Sequence, residues 1–93
     1  MYGLEGIRAI RPKLTHSEMI RALQYCVAAE YEAVKLYQQI AESISDSASI
    51  EILNHVADEE LVHVGHFIRL ITELSPNDEK MYQIGSDYTD RII

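Results

Sequence analysis

The sequence predicts an all-α protein: an antiparallel two-helix hairpin with a short C-terminal helix, dimerising into a four-helix bundle. Three observations predict it. The composition is globular, 47% hydrophobic and 25% charged, and only four glycines and two prolines interrupt 93 residues. Two long stretches carry apolar residues at alternating steps of three and four, bounded by helix start signals. Those stretches also hold more apolar surface than two helices can cover for each other, so a second copy is required.

The elements follow in order within one domain spanning residues 1–93. Residues 1–14 read as an irregular arm, because Gly3, Gly6 and Arg11-Pro12 break any periodicity; Leu4, Ile7 and Ile10 could dock it on a partner. Thr15-His16-Ser17-Glu18 fits a capping box, a threonine cap with a glutamate three residues on. The first helix is expected over 16–44, since no Gly or Pro occurs between Ser17 and Ser45. Ser45-Asp46-Ser47 is a short polar turn, and Asp46 or Ser47 can cap a second helix over 47–74. So short a turn between long helices folds them antiparallel. Ser75-Pro76-Asn77-Asp78 starts a third helix over 76–88, with proline at its first position and an acid in its first turn. Its apolar stripe is Met81, Ile84 and Tyr88.

Ionisable residues interrupt the inward rows of the hairpin. Along the first helix the row runs Met19, Leu23, Cys26, Glu30, Ala33, Tyr37, Ile40 and Ile44. Along the second it runs Leu53, Val56, Glu60, His63, Phe67, Leu70 and Leu74. A carboxylate in such a row loses hydration, at several kcal/mol per ion unless something compensates. Glu32, Lys35, Gln38, Gln39 and Glu42 supply a separate polar face, which leaves Glu30 poorly placed for solvent. The second helix carries another apolar stripe as well: Ile50, Leu53, Ala57, Leu61, Val64, Ile68 and Ile71.

Glu60-Leu61-Val62-His63 is a Glu-x-x-His, whose two donors share one helix face. Alone it is a common tetrapeptide. In a hairpin turning at Asp46, however, Glu30 stands level with about position 62, beside both donors. A di-metal carboxylate site in a helical bundle takes a Glu from each of two helices and a Glu-x-x-His from each of the other two. This chain holds half of that set, and two copies supply all of it. Four carboxylates balance two divalent ions, with the imidazoles neutral. Oxygen and imidazole donors suit iron, manganese or zinc, and the absence of thiolate argues against an iron–sulfur cluster.

Ala29-Glu30-Tyr31-Glu32-Ala33 through Tyr37, followed by Asp58-Glu59-Glu60-Leu61-Val62-His63-Val64-Gly65, resembles the encapsulated ferritins, short ferritin-like proteins housed in encapsulin nanocompartments. The likeness covers about Ser17 to Leu74. It implies a half-ferritin domain and a ferroxidase, which oxidises Fe2+ to Fe3+ with dioxygen at a di-iron centre shared between two protomers. It implies Glu30, Glu60 and His63 from both chains as ligands, and Tyr37 beside the centre, about 10 Å along the axis from Glu30. Glu32 matches one glutamate of an outer metal-uptake site, while Ala29 stands where the second is expected. The implied assembly is a homodimer built into a decameric ring, used for iron storage and detoxification inside an encapsulin shell. Asp87 to Ile93 departs from the tail peptide by which such cargo docks, so a free cargo, a piece of a longer chain and a shell-fused domain all stay open.

Other classes fit less well. A net charge of −7 without a basic cluster disfavours nucleic acid and anionic membranes. The longest apolar run, Tyr25 to Ala29, cannot span a bilayer, and residues 1–11 lack a secretory pattern. A lone Cys26 excludes an internal disulfide and reads as a small hydrophobe; the expected location is cytoplasmic. His55, Glu59 and His66 share a flank that could bind or guide metal or simply face water, and His16 reads as a surface residue at a helix start. The alternatives to ferroxidase are a non-catalytic zinc or manganese binder and a purely structural helical oligomer.

Overall fold

The computed structural model describes residues 12–93, which form three helices and, among the described residues, no strand: α1 (His16–Glu42), α2 (Ser47–Leu74) and α3 (Pro76–Ile92). Of the arm expected over 1–14, Pro12 to Leu14 are exposed and irregular; the remainder lies outside the described residues.

Local chemistry sets each helix boundary. Thr15 Oγ1 accepts from the Glu18 N–H at 3.2 Å, and Glu18 Oε1 accepts from the Thr15 N–H at 2.9 Å, closing the capping box. The first helix stops at Glu42 rather than at Ile44. Ser43 ends it, its N–H donating to the Ile40 carbonyl at 2.9 Å and its hydroxyl to the Gln39 carbonyl at 2.8 Å. Asp46 Oδ2 caps α2, accepting from the Ser49 N–H at 3.0 Å and the Ser49 hydroxyl at 2.6 Å. Those bonds, the hydroxyl's first, hold the Asp46 carboxyl below the usual aspartate range. Ser75 serves two helices, its N–H closing α2 on the Ile71 carbonyl and its hydroxyl accepting from the Asp78 N–H to start α3. The third helix continues past Tyr88 to Ile92. Nothing in its sequence stops it: Gly85 takes helical geometry, and Arg91 sits in the last turn, 5.5 Å over the Tyr88 ring.

The hairpin is antiparallel. His16 Nε2–H donates to the Leu74 carbonyl at 2.8 Å, tying the start of α1 to the end of α2. Gln24 Nε2 donates to Asp78 Oδ2 at 3.1 Å, tying α1 to α3. Val34 and Ala41 of α1 are buried against Ala57, Val64 and Ile71 of α2. The seam inside one chain therefore runs one column away from the expected rows. On α2 the second stripe supplies the buried residues, at steps of seven, because Ala57 is small enough to admit α1 closely. Val56 is left half-buried, and His63 and Leu70 are exposed, as are Met19 and Ile40 in the expected α1 row.

One chain is a single layer of helices, 49 × 46 × 15 Å, with a radius of gyration of 17.6 Å. A compact chain of this length has about 12 Å. The stripe Met81, Ile84 and Tyr88 on α3 lies open, as do Leu36, Ile52 and Val62 on the hairpin. No helix among the described residues is long and apolar enough to cross a membrane.

Candidate metal centre

Glu30 lies midway along α1, and Glu60 and His63 lie one turn apart on α2. The antiparallel register sets them level, beside the buried Val34–Val64 column rather than in it. His63 Nδ1 is 3.3 Å from Glu30 Oε2 and 3.6 Å from Glu60 Oε2. All three donor atoms lie within 4.8 Å of one another, the only such group of three among the described residues. The glutamate side chains are each 19% exposed and the histidine is 47% exposed.

These distances constrain the chemistry. An ionised carboxylate offers only lone pairs. His63 Nδ1 carries at most one proton, and the geometry directs it to Glu30, the only one of the two within hydrogen-bond range. Glu60 is left mostly shielded from water beside a second negative group. The shared need of both carboxylates is positive charge, and the site's donors are two oxygens and one imidazole nitrogen. That set fits iron, manganese or zinc. One chain provides three protein donors, half of what a dinuclear carboxylate site uses.

The other candidates fall outside this group. Tyr37 is half-buried two turns beyond Glu30, and its hydroxyl makes no hydrogen bond among the described residues. Glu32 sits exposed on open surface with Lys35 and Gln39, and among the described residues it joins no group of three metal donors. Cys26 is half-buried and free. His55 Nε2 stands 3.5 Å from Glu59 Oε1, an exposed pair along the helix. His66 is not joined to that pair. Its ring stacks on the His63 ring, with centroids 6.1 Å apart and planes at 25°. The sequence reading missed this contact, although the spacing of three from His63 was its signal. It also missed His16 as a tie between helix ends, for which a partner 58 residues away leaves no local signature.

Comparison with known proteins gives the family and the fold. Residues 21–91 match the family described as Rubrerythrin. The chain is similar to a ferritin-like–encapsulin shell fusion protein of Pyrococcus furiosus, 39% identical over 62 residues. That stretch is 67% of this chain and 18% of the fusion protein. It is also similar to encapsulin nanocompartment cargo protein EncC of Myxococcus xanthus, 34% identical over 64 residues, 69% of this chain and 49% of that one. The matched regions thus span less than half the length of either curated relative. Among solved structures, the crystal structure of the encapsulated ferritin domain from Pyrococcus furiosus superposes with a TM-score of 0.83 at 32% identity, covering 88% of this chain and 85% of that one.

Proposed function

The chain belongs to the Rubrerythrin family, with a ferritin-like fold, and from that membership we propose that it is a ferroxidase working as a symmetric pair. One observation carries the reading: the fold brings Glu30, Glu60 and His63 from two helices to within 4.8 Å on a face whose apolar neighbours are incompletely covered. A two-fold axis through that face joins two such triads into one site for two ferrous ions, the substrate. Each ion gives up one electron and leaves ferric, and dioxygen takes the two electrons with two protons from water and leaves as hydrogen peroxide.

The residues play separable roles. Glu30 and Glu60 supply anionic oxygen donors, which favour the higher-charged ferric ion over the ferrous one and so promote electron loss. His63 presents Nδ1 as a neutral donor between them, which leaves the total charge at the level two divalent ions balance. Tyr37, half-buried on the same helix as Glu30, is proposed to hydrogen-bond a ligand once the second copy closes the site. Glu32 is proposed only as an outer uptake contact.

The pair is proposed to assemble further into a ring, a decamer, and to store and detoxify iron inside an encapsulin compartment. The encapsulin-associated names of both relatives support the second part. The test is anaerobic addition of Fe2+ to the purified protein, followed by air. The proposal expects two irons per pair, rapid oxidation with oxygen uptake, and loss of both in Glu60→Ala. Metal binding without oxygen uptake would instead identify a non-catalytic zinc or manganese binder. An assembly indifferent to strong chelator, with no metal bound, would identify a structural oligomer.

A further inference from the structure

We propose that His66 is a positioning residue for the metal ligand His63, acting through ring stacking rather than through its own nitrogens. The inference rests on the proposed metal-binding role of Glu30, Glu60 and His63.

His63 is the most exposed of the three donors, at 47%. A ring so placed can rotate about its outer torsion unless something holds it. Metal-binding histidines are ordinarily fixed by a hydrogen bond from the second ring nitrogen to a carboxylate, carbonyl or water. Among the described residues, His63 Nε2 makes no such bond. The contact at Nδ1, 3.3 Å from Glu30, does hold the ring while Nδ1 carries a proton. It cannot do so in the loaded site, because the Nδ1 lone pair is then the donor and the proton moves to Nε2. The group that orients the ring without metal is therefore lost when metal binds.

The face of the ring stays available throughout. His66 lies one helical turn on, its centroid 6.1 Å from that of His63 and its plane inclined by 25°. This is within the roughly 4.5–7 Å over which aromatic rings pair. A stack is indifferent to which edge nitrogen bears the proton, so it persists through the change of tautomer. Among the described residues no hydrogen bond or ion pair claims the His66 ring, which belongs neither to the donor group nor to the His55–Glu59 pair.

The experiment separates the ring from its nitrogens. Co2+ is titrated anaerobically into wild type, His66→Ala and His66→Phe, followed by its visible absorption and by competition with a chelator. Loss of a residue that orients a ligand typically weakens metal affinity by about 10–100-fold. His66→Ala is expected at the low end, about tenfold, with altered band shape. His66→Phe is expected to restore affinity and spectrum to within about twofold of wild type. Unchanged binding in His66→Ala overturns the proposal. So does a His66→Phe protein as weak as His66→Ala, since the nitrogens would then be what matters. Should His66→Ala fail to assemble, His66→Leu takes its place, keeping bulk without a ring: affinity about tenfold below that of wild type and His66→Phe supports the proposal, and wild-type affinity overturns it. A wild type that binds no Co2+ removes the metal site itself, and with it the reading above; full wild-type binding with an indifferent His66→Ala removes only the role of His66.

Discussion

Replacing Glu60 by glutamine keeps the side chain's shape and deletes one negative charge, and the structure fixes the sign of the result. The donor oxygens of Glu30 and Glu60 lie within 4.8 Å. Two unit charges at that distance repel by about 3.5 kcal/mol at an effective dielectric constant of ~20. Each side chain retains 19% exposure, and water reaching them roughly halves the figure. Glu60→Gln in EDTA is therefore expected to be more stable than wild type by about 1–2 kcal/mol. The assay is urea unfolding at low, fixed ionic strength and pH 8, where an ordinary imidazole is uncharged, with protein concentration held fixed. The midpoint should rise without a change of slope. Saturating Mn2+ should reverse the order. Wild type gains about 2.7 kcal/mol at a metal concentration a hundredfold above its dissociation constant, while the variant, lacking one donor of each triad, gains much less. A variant less stable than wild type in EDTA would refute the reasoning, because Glu60 would then be held by His63 rather than strained by Glu30.

Three further substitutions test the scaffold. Ile71→Ala removes the largest fully buried side chain among the described residues, 1% exposed, and should cost about 2–4 kcal/mol by denaturant midpoint while leaving metal stoichiometry of the folded fraction unchanged. Asp46 has its carboxyl held below the usual aspartate range by Ser49. Its contribution is thus fully present above the ordinary aspartate pKa and lost as pH falls through the lowered folded value. Against Asp46→Asn, a neutral cap, the wild-type advantage in melting temperature should shrink below about pH 4; an advantage that persists into strong acid would contradict the cap. Gly85→Ala should raise the melting temperature, equivalent to about 1 kcal/mol at most, since a Cβ there meets nothing within 4 Å.

What the sequence made legible was local or fixed by a local constraint. The α1 start needs only Thr15 and Glu18, and the α3 start only Ser75, Pro76 and Asp78. The meeting of Glu30 with Glu60 and His63 crosses 33 residues, yet a short turn capped by Asp46 fixes the register and so the level. The phase of the intrachain seam was not legible. The second helix has two apolar stripes of similar strength, and a binary pattern cannot say which one its own α1 covers and which awaits another surface. Small residues decide it: Ala41 and Ala57 allow close approach, and the column through Val34, Val64 and Ile71 is buried with them. The ends of helices were read less well than their starts, because Ser43 competes for backbone carbonyls through its own hydroxyl, and α3 carries no stop signal before Ile92.

Placing the triad at the edge of the seam has a consequence for assembly. Inside one chain Glu30 and Glu60 lose most of their water, and among the described residues only Glu30 stands within hydrogen-bond range of a donor, His63 Nδ1. A cation would relieve them, and on the proposed pairing a second triad would add three more donors to the same site. On the proposed pairing, metal affinity and subunit affinity are then two readings of one coupling free energy, and each must strengthen the other equally. The flanking Ile40, Ile52 and Leu70, all exposed in the single chain, add a driving force for pairing that does not depend on metal. Identical triads also require an isologous interface, the same patch meeting itself across a two-fold axis. A substitution in the triad is consequently felt twice in every completed site, so Glu60→Gln deletes two of four carboxylates rather than one. On the proposed pairing, that doubling is how a hairpin of half a bundle would build a dinuclear centre with a single Glu-x-x-His.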